Sequence, residues 1–304
     1  MSAPSTSGPA GVRDRAGRSR AALRARRLRR LPDRVACLVA AIAFLLTMLP
    51  VAGVIATAVE RGSGLLAGRL TPAGQDGPAR AASSAALHGV AVTLAQVGTA
   101  SLLAVPVGAL AAVWLVGRGR GRPGRLAAVL VTALSGLPTV VVGLGVLGAW
   151  VLALGRWPSG VAGTLALAVL MLPAVTHSTR RALHRVPVAL REGARALGMT
   201  PWRGLVRVVL PAGGGGIASG ILLAVAGVAG EAAPLVVTAA GAMPAAAGPG
   251  QGPPLALLVY GQGVRGGGID TDRAWVAALT LLVLVGVLAL TARMIGPVQD
   301  GPER

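Results

Sequence analysis

Residues 35–59, 81–117 and 126–155 contain no Asp, Glu, Lys or Arg. A helix that packs in water keeps a charged or polar face, whereas a bilayer core about 30 Å thick is crossed by roughly 20 consecutive apolar residues. Runs this long therefore place the chain in a membrane as helices, the one open-ended structure that satisfies its own backbone there. Composition agrees: 54% of the 304 residues are apolar and 13% charged, against about a quarter charged in an average soluble domain.

The predicted architecture is all-α and polytopic, with six transmembrane helices at residues 35–59, 88–116, 126–154, 161–179, 216–240 and 274–292. Residues 1–34 hold ten arginines and read as a disordered or interfacial cytoplasmic tail, compatible with contact to anionic lipid. The first apolar run is longer than the 7–15-residue core of a signal peptide, so it reads as an uncleaved helix. Residues 60–83 form a Gly/Pro-rich extracytoplasmic loop, and 156–160 a tight turn. Within the Gly/Pro-rich stretch 241–273, the apolar piece 255–260 is too short to cross. Residues 294–304 are a polar end. Glycine and proline inside spans suit close helix packing or broken helices around a solute path.

All 29 basic residues are arginine. With the N-terminus in the cytoplasm, that side collects the ten of the tail, four between spans two and three, seven in residues 180–207 and two at the C-terminal end. Six are left outside: Arg61, Arg69, Arg80, Arg156, Arg265 and Arg273. The positive-inside rule thus predicts both termini in the cytoplasm.

The absence of lysine excludes a Walker A phosphate loop, a kinase site and a Schiff-base enzyme. One cysteine, Cys37, allows no disulfide framework within the chain, and His88, His177 and His184 form no recognisable metal-ligand spacing. Aromatics at 2% leave few stacking platforms for nucleic acid. The expectation is a protein with no cofactor or metal, no nucleic-acid partner and no catalytic centre of its own.

Residues 186–202 read as two short helices with a corner. Pro187 suits a helical first turn, and Leu190, Ala194 and Leu197 fall on one face. Gly198 can take the left-handed conformation that ends a helix; Thr200 offers an N-cap, with Pro201 at the first position of the next helix. Such a knuckle is either a docking element or a solvated connector.

Glu192-Gly193-Ala194, Gly198 and then Val208-x-Leu210-Pro211 resemble the EAA loop of type I ABC importer permeases: EAA, three residues, Gly, nine residues, I-x-L-P. The spacing is intact, with Gly193 in place of Ala and Val208 in place of Ile. The resemblance implies a MetI-like permease fold, with its domain at residues 84–293. It also implies a loop, residues 180–211, that docks into a cytoplasmic ATPase dimer. By that resemblance Glu192, Gly193, Ala194, Gly198, Leu210 and Pro211 are the coupling residues.

The resemblance narrows to the phosphate-specific permeases of the PstA type. Gly230-Glu231-Ala232-Ala233-Pro234-Leu235 with Thr238-Ala239 is similar to GETAPLLFTA of those proteins. Residues 137–144 are similar to PSIVVGL, and Val186-Pro187-x-x-Leu190-Arg191-Glu192 to VPxxLREA. The Thr71-Pro72 loop and the Ala274-Trp275 entry to the last span also fit, so the similarity covers about residues 25–295. It implies transport of inorganic phosphate together with a PstC-type permease subunit, the ATPase dimer and an extracytoplasmic phosphate-binding protein. A carboxylate within a span costs about 2.5–3.5 kcal/mol on insertion scales. Glu231 therefore faces the bundle interior or water, as a gating group or a helix–helix hydrogen bond. Glu231, Pro234, Thr238 and His177 are the candidates for the path or gate. Two positions depart from the pattern: Gly227 stands where an arginine is common, and Arg180-Arg181 where glutamates are frequent. They motivate two other readings, a permease for sulfate, molybdate or tungstate and a non-transporting membrane scaffold or signalling subunit.

Overall fold

The computed structural model describes residues 10–68, 78–119, 121–155, 159–239, 252–265 and 269–296, and every regular element among them is helical. The Thr71-Pro72 loop, residues 156–158 of the tight turn, residues 240–251 and 266–268 of the Gly/Pro-rich stretch and residues 297–304 lie outside the described residues.

Helix α1 spans Ala10–Gly68. It starts well before the predicted first span and takes in residues 10–34; alanine and arginine are both strong helix formers. Along its apolar part, Leu38, Phe44, Leu46 and Leu49 are exposed, a surface that lipid or another membrane helix must cover.

From Ala58 onward a separate compact unit forms. Its long helices are α2 (Pro78–Arg118), α5 (Gly160–Arg185), α9 (Gly214–Ala229) and α12 (Ile269–Ile295). Helix α5 is the most buried of the long apolar helices and packs on both α2 and α9, while α12 closes on α2 and α9. Small residues line the seams: Ala100 and Ala104 of α2, Ala168 of α5 and Ala224 of α9 surround Leu167, Met171 and Val175. Lipid tails are as apolar as leucine, so these helices associate through close fit of small side chains rather than by escape from water.

The third predicted span is not one helix. It divides into α3 (Arg122–Gly136) and α4 (Thr139–Gly148), the latter continued by a π-helical turn at Ala149–Ala153, with a bend of 108° between the two parts. Leu137 is extended, at φ −75° and ψ 135°, as the residue before a proline prefers. Pro138 then has no N–H to continue the ladder.

The fifth predicted span is broken as well. Just before it, residues Pro201–Ala212 meet α9 at a 68° bend, at Gly213 within the glycine run. Helix α9 then stops at Ala229, and after Gly230-Glu231-Ala232 the chain resumes as α10 (Ala233–Ala239). Among the described residues, four helices are long and apolar enough to cross a bilayer, or up to six crossings result if each bent pair counts as one. The segment predicted to be too short to cross is α11 (Leu255–Arg265). Its Leu255 and Leu258 pack with Ala82 and Ala86 of α2 and Val276 and Ala277 of α12.

Candidate coupling loop and translocation segment

The chain between α5 and α9 folds as the residues dictate. Pro187, at φ −50° and ψ 137°, precedes α6 (Val188–Ala196). Gly198 ends it at φ 74°. The N–H of Gly198 donates to the Arg195 carbonyl at 2.9 Å, and that of Met199 to the Ala194 carbonyl at 3.1 Å. This is the paired Schellman closure, which satisfies two otherwise orphaned carbonyls. Thr200 then caps α7 (Pro201–Gly204), its Oγ1 accepting from the Arg203 N–H at 3.4 Å. The return path is a π-helical turn, Leu205–Val209, followed by α8 (Leu210–Ala212).

Two contacts bind this corner to the bundle. The Arg191 guanidinium donates to the Leu183 carbonyl in the last turn of α5, where helix carbonyls lack intrahelical partners. Val113, Leu183, Val186, Leu205 and Val209 form a small core, with Leu210 packed against it. Ala194 is buried, whereas Glu192, Gly193, Gly198 and Pro211 are exposed. Leu190 and Leu197, predicted to share a packing face with Ala194, are 43% and 80% exposed. The loop thus turns apolar as well as charged side chains outward, with Val188, Trp202 and Val206 beside them.

The two segments that the phosphate-permease resemblance singled out far apart in sequence meet in space. Helix α10 packs on α4 and α5. A Cβ at Gly143 would stand 2.8 Å from the Cα of Pro234, so only glycine admits this approach. Pro234 and Thr238 are fully buried, and Thr238 Oγ1 donates to the Pro234 carbonyl at 2.8 Å. Both lie in the part of the chain where α10 packs on α4 and α5. Glu231 lies in the non-helical break between α9 and α10, half-buried, its backbone N–H donating to the Val228 carbonyl at 3.1 Å. One turn earlier, Gly227 is exposed and a Cβ there would meet nothing within 4 Å. His177 belongs to another surface, a hollow lined with Arg180, Arg181, His184 and Arg185.

Sequence reasoning missed His88 and Thr93. On α2, His88 Nε2 accepts from the Gly252 N–H and Thr93 Oγ1 from the Leu255 N–H, both at 2.9 Å. Thr93 is 3% exposed and caps α11 across 162 residues of sequence; no local pattern signals such a partner. Thr93→Val leaves the Leu255 donor unsatisfied, at a cost of about 1–2 kcal/mol. Amides in the first turn of α11 should then exchange hydrogen about 5- to 30-fold faster. Unchanged exchange there would show that the cap contributes nothing.

A bundle around α5 with a helical corner at one end is the architecture of a membrane permease from an ABC importer. The fold matches a chain of the inward-facing MetNI methionine ABC transporter with a TM-score of 0.55 over 70% of this chain and 94% of that one. At 20% identity, this is a likeness of fold alone. Residues 104–296 match the family described as binding-protein-dependent transport system inner membrane component, and the chain belongs to that family. It is a multi-pass membrane protein. Over 210 residues it is 40% identical to the phosphate transport system permease protein PstA 1 of Mycobacterium tuberculosis (strain CDC 1551 / Oshkosh), covering 68% of this chain and 69% of that protein. A probable phosphate transport system permease protein PstA of Methanocaldococcus jannaschii is 31% identical over 274 residues, 84% of this chain and 91% of that protein.

Proposed function

We propose that this chain is the PstA-type subunit of an ATP-driven importer and forms the path for inorganic phosphate with a second, PstC-type permease subunit. The similarity of 40% over 210 residues to PstA 1 carries this reading. ATP hydrolysis belongs to a cytoplasmic ATPase dimer, and phosphate arrives on an extracytoplasmic binding protein. Both termini lie in the cytoplasm, in keeping with the arginine distribution.

The mechanism is alternating access, because an anion does not cross about 30 Å of hydrocarbon unaided. Helix α6 and the corner at Gly198 engage the ATPase. The Arg191–Leu183 bond and the Val186–Leu205–Val209 core support that role, since they make the corner and α5 one stiff lever. Closure of the ATPase moves α5, and with it the α4–α10 junction beside the Glu231 break. Glu231 acts there as a gate group and not as a phosphate ligand, since like charges repel.

The test is ATP-dependent uptake of labelled phosphate into vesicles holding the chain, its permease partner, ATPase and binding protein. Phosphate alone should compete, and Glu192→Ala should lower uptake at least about tenfold, within the usual range of coupling energies. Equal competition by sulfate or molybdate would reassign the substrate. Full uptake by Glu192→Ala would remove this loop from coupling.

A further inference from the structure

The last three turns of α5 carry His177, Arg180, Arg181, His184 and Arg185 around an open hollow of about 510 Å³. The spacing of i, i+3, i+4, i+7 and i+8 puts all five on one face of the helix. The other described residues leave that face uncovered: Arg180, Arg181, His184 and Arg185 are exposed, while Thr179, Ala182 and Leu183 on the opposite side are buried. The lining contains no carboxylate. Among the described residues, none of the three guanidiniums has an acidic partner, and Arg191, the neighbouring arginine, donates to the Leu183 carbonyl.

Three like charges crowded within two turns repel one another, and a ligand with several acceptor oxygens relieves that repulsion. A planar guanidinium presents paired N–H donors that match a phosphate group in bidentate fashion. The hollow sits beside the coupling corner, at the end of α5 that meets the cytoplasm under the orientation proposed above, on which this inference rests. We propose that Arg180, Arg181 and Arg185 form a binding site for a phosphate group, separate from Glu231 and the α4–α10 junction. Its occupant is free inorganic phosphate or the headgroup phosphate of an anionic phospholipid, which offer the same oxygens to the same donors.

The full chain, in nanodiscs for one measurement and in detergent for the other, separates these sources. One arm measures binding of radiolabelled inorganic phosphate in purely zwitterionic lipid. The other measures retention of phosphatidylglycerol on the detergent-extracted chain by mass spectrometry. The triple variant Arg180→Gln, Arg181→Gln, Arg185→Gln should bind about tenfold more weakly in one of the two arms, the loss expected when charge-assisted hydrogen bonds are removed. That arm names the source. The variant Arg195→Gln, Arg203→Gln, Arg207→Gln removes the same charge from exposed positions off the hollow and should bind like the wild type. Equal losses in both variants, or no loss in either arm, would overturn the site and leave these arginines as topological charge. Binding is read without ATPase or uptake, so its failure is distinct from failure of the transport reading. A chain that transports sulfate would still be expected to show it.

Discussion

Gly143→Ala is expected to destabilise the detergent-solubilised chain by about 1–3 kcal/mol, the usual cost of overpacking a fitted contact. The added Cβ would lie 2.8 Å from Pro234 Cα and 3.1 Å from its carbonyl oxygen, where carbon atoms rest at about 3.5–4.0 Å. Both obstacles are backbone, so no side-chain rotation removes them. Helix α10 must move away from α4, and the Glu231 break moves with it. Gly145, two residues further along the same helix, has nothing within 4 Å of its Cβ position. Gly145→Ala should be neutral or slightly stabilising, since alanine is worth about 0.5–1 kcal/mol over glycine in a helix. Thermal melting of the two variants beside the wild type decides the matter. A Gly143→Ala chain that melts with the wild type would refute the tight α4–α10 seam.

Gly198→Val should uncouple ATP hydrolysis from uptake. At φ 74° an L-residue costs about 1–2 kcal/mol, and a β-branched one more. The strain is relieved by opening the Schellman closure, which releases Gly198 and Met199 from the Arg195 and Ala194 carbonyls and lets α6 swing relative to α7. The corner is exposed, so the bundle should remain folded while phosphate taken up per ATP hydrolysed falls about tenfold, a change of about 1.4 kcal/mol. Gly193 is the contrast. It is exposed, helical and open around its Cβ position, so Gly193→Ala should keep coupling and gain up to about 1 kcal/mol of helix propensity. A wild-type ratio in Gly198→Val would show that the shape of the corner does not transmit the motion.

Much of the coupling corner was legible because its signals are local. Gly198, Thr200 and Pro201 act through their own backbone angles or through atoms within three or four residues, and the structure places each as the sequence implies; Pro187 instead stands one step earlier, as the extended residue before α6 rather than in its first turn. Leu190 and Leu197 show where periodicity stops: it groups apolar residues on a face, but does not say whether the chain supplies something to cover that face. The 0% exposure of Thr238 and the seam at Gly143 were not legible either. They depend on α4 and α10, which are separated by roughly ninety residues.

The sequence by itself determined the membrane class, the positions of the apolar runs and the folding of the corner, since each follows from composition or from interactions a few residues long. The tertiary structure decided which helices break. Pro106 and Pro173 lie inside the unbroken helices α2 and α5, whereas Pro138 stands at a 108° bend. Each removes the same N–H and crowds the same preceding carbonyl. What differs is whether surrounding helices hold the two halves in line, and that is a property of the packed bundle around α5, not of the residues on either side of the proline.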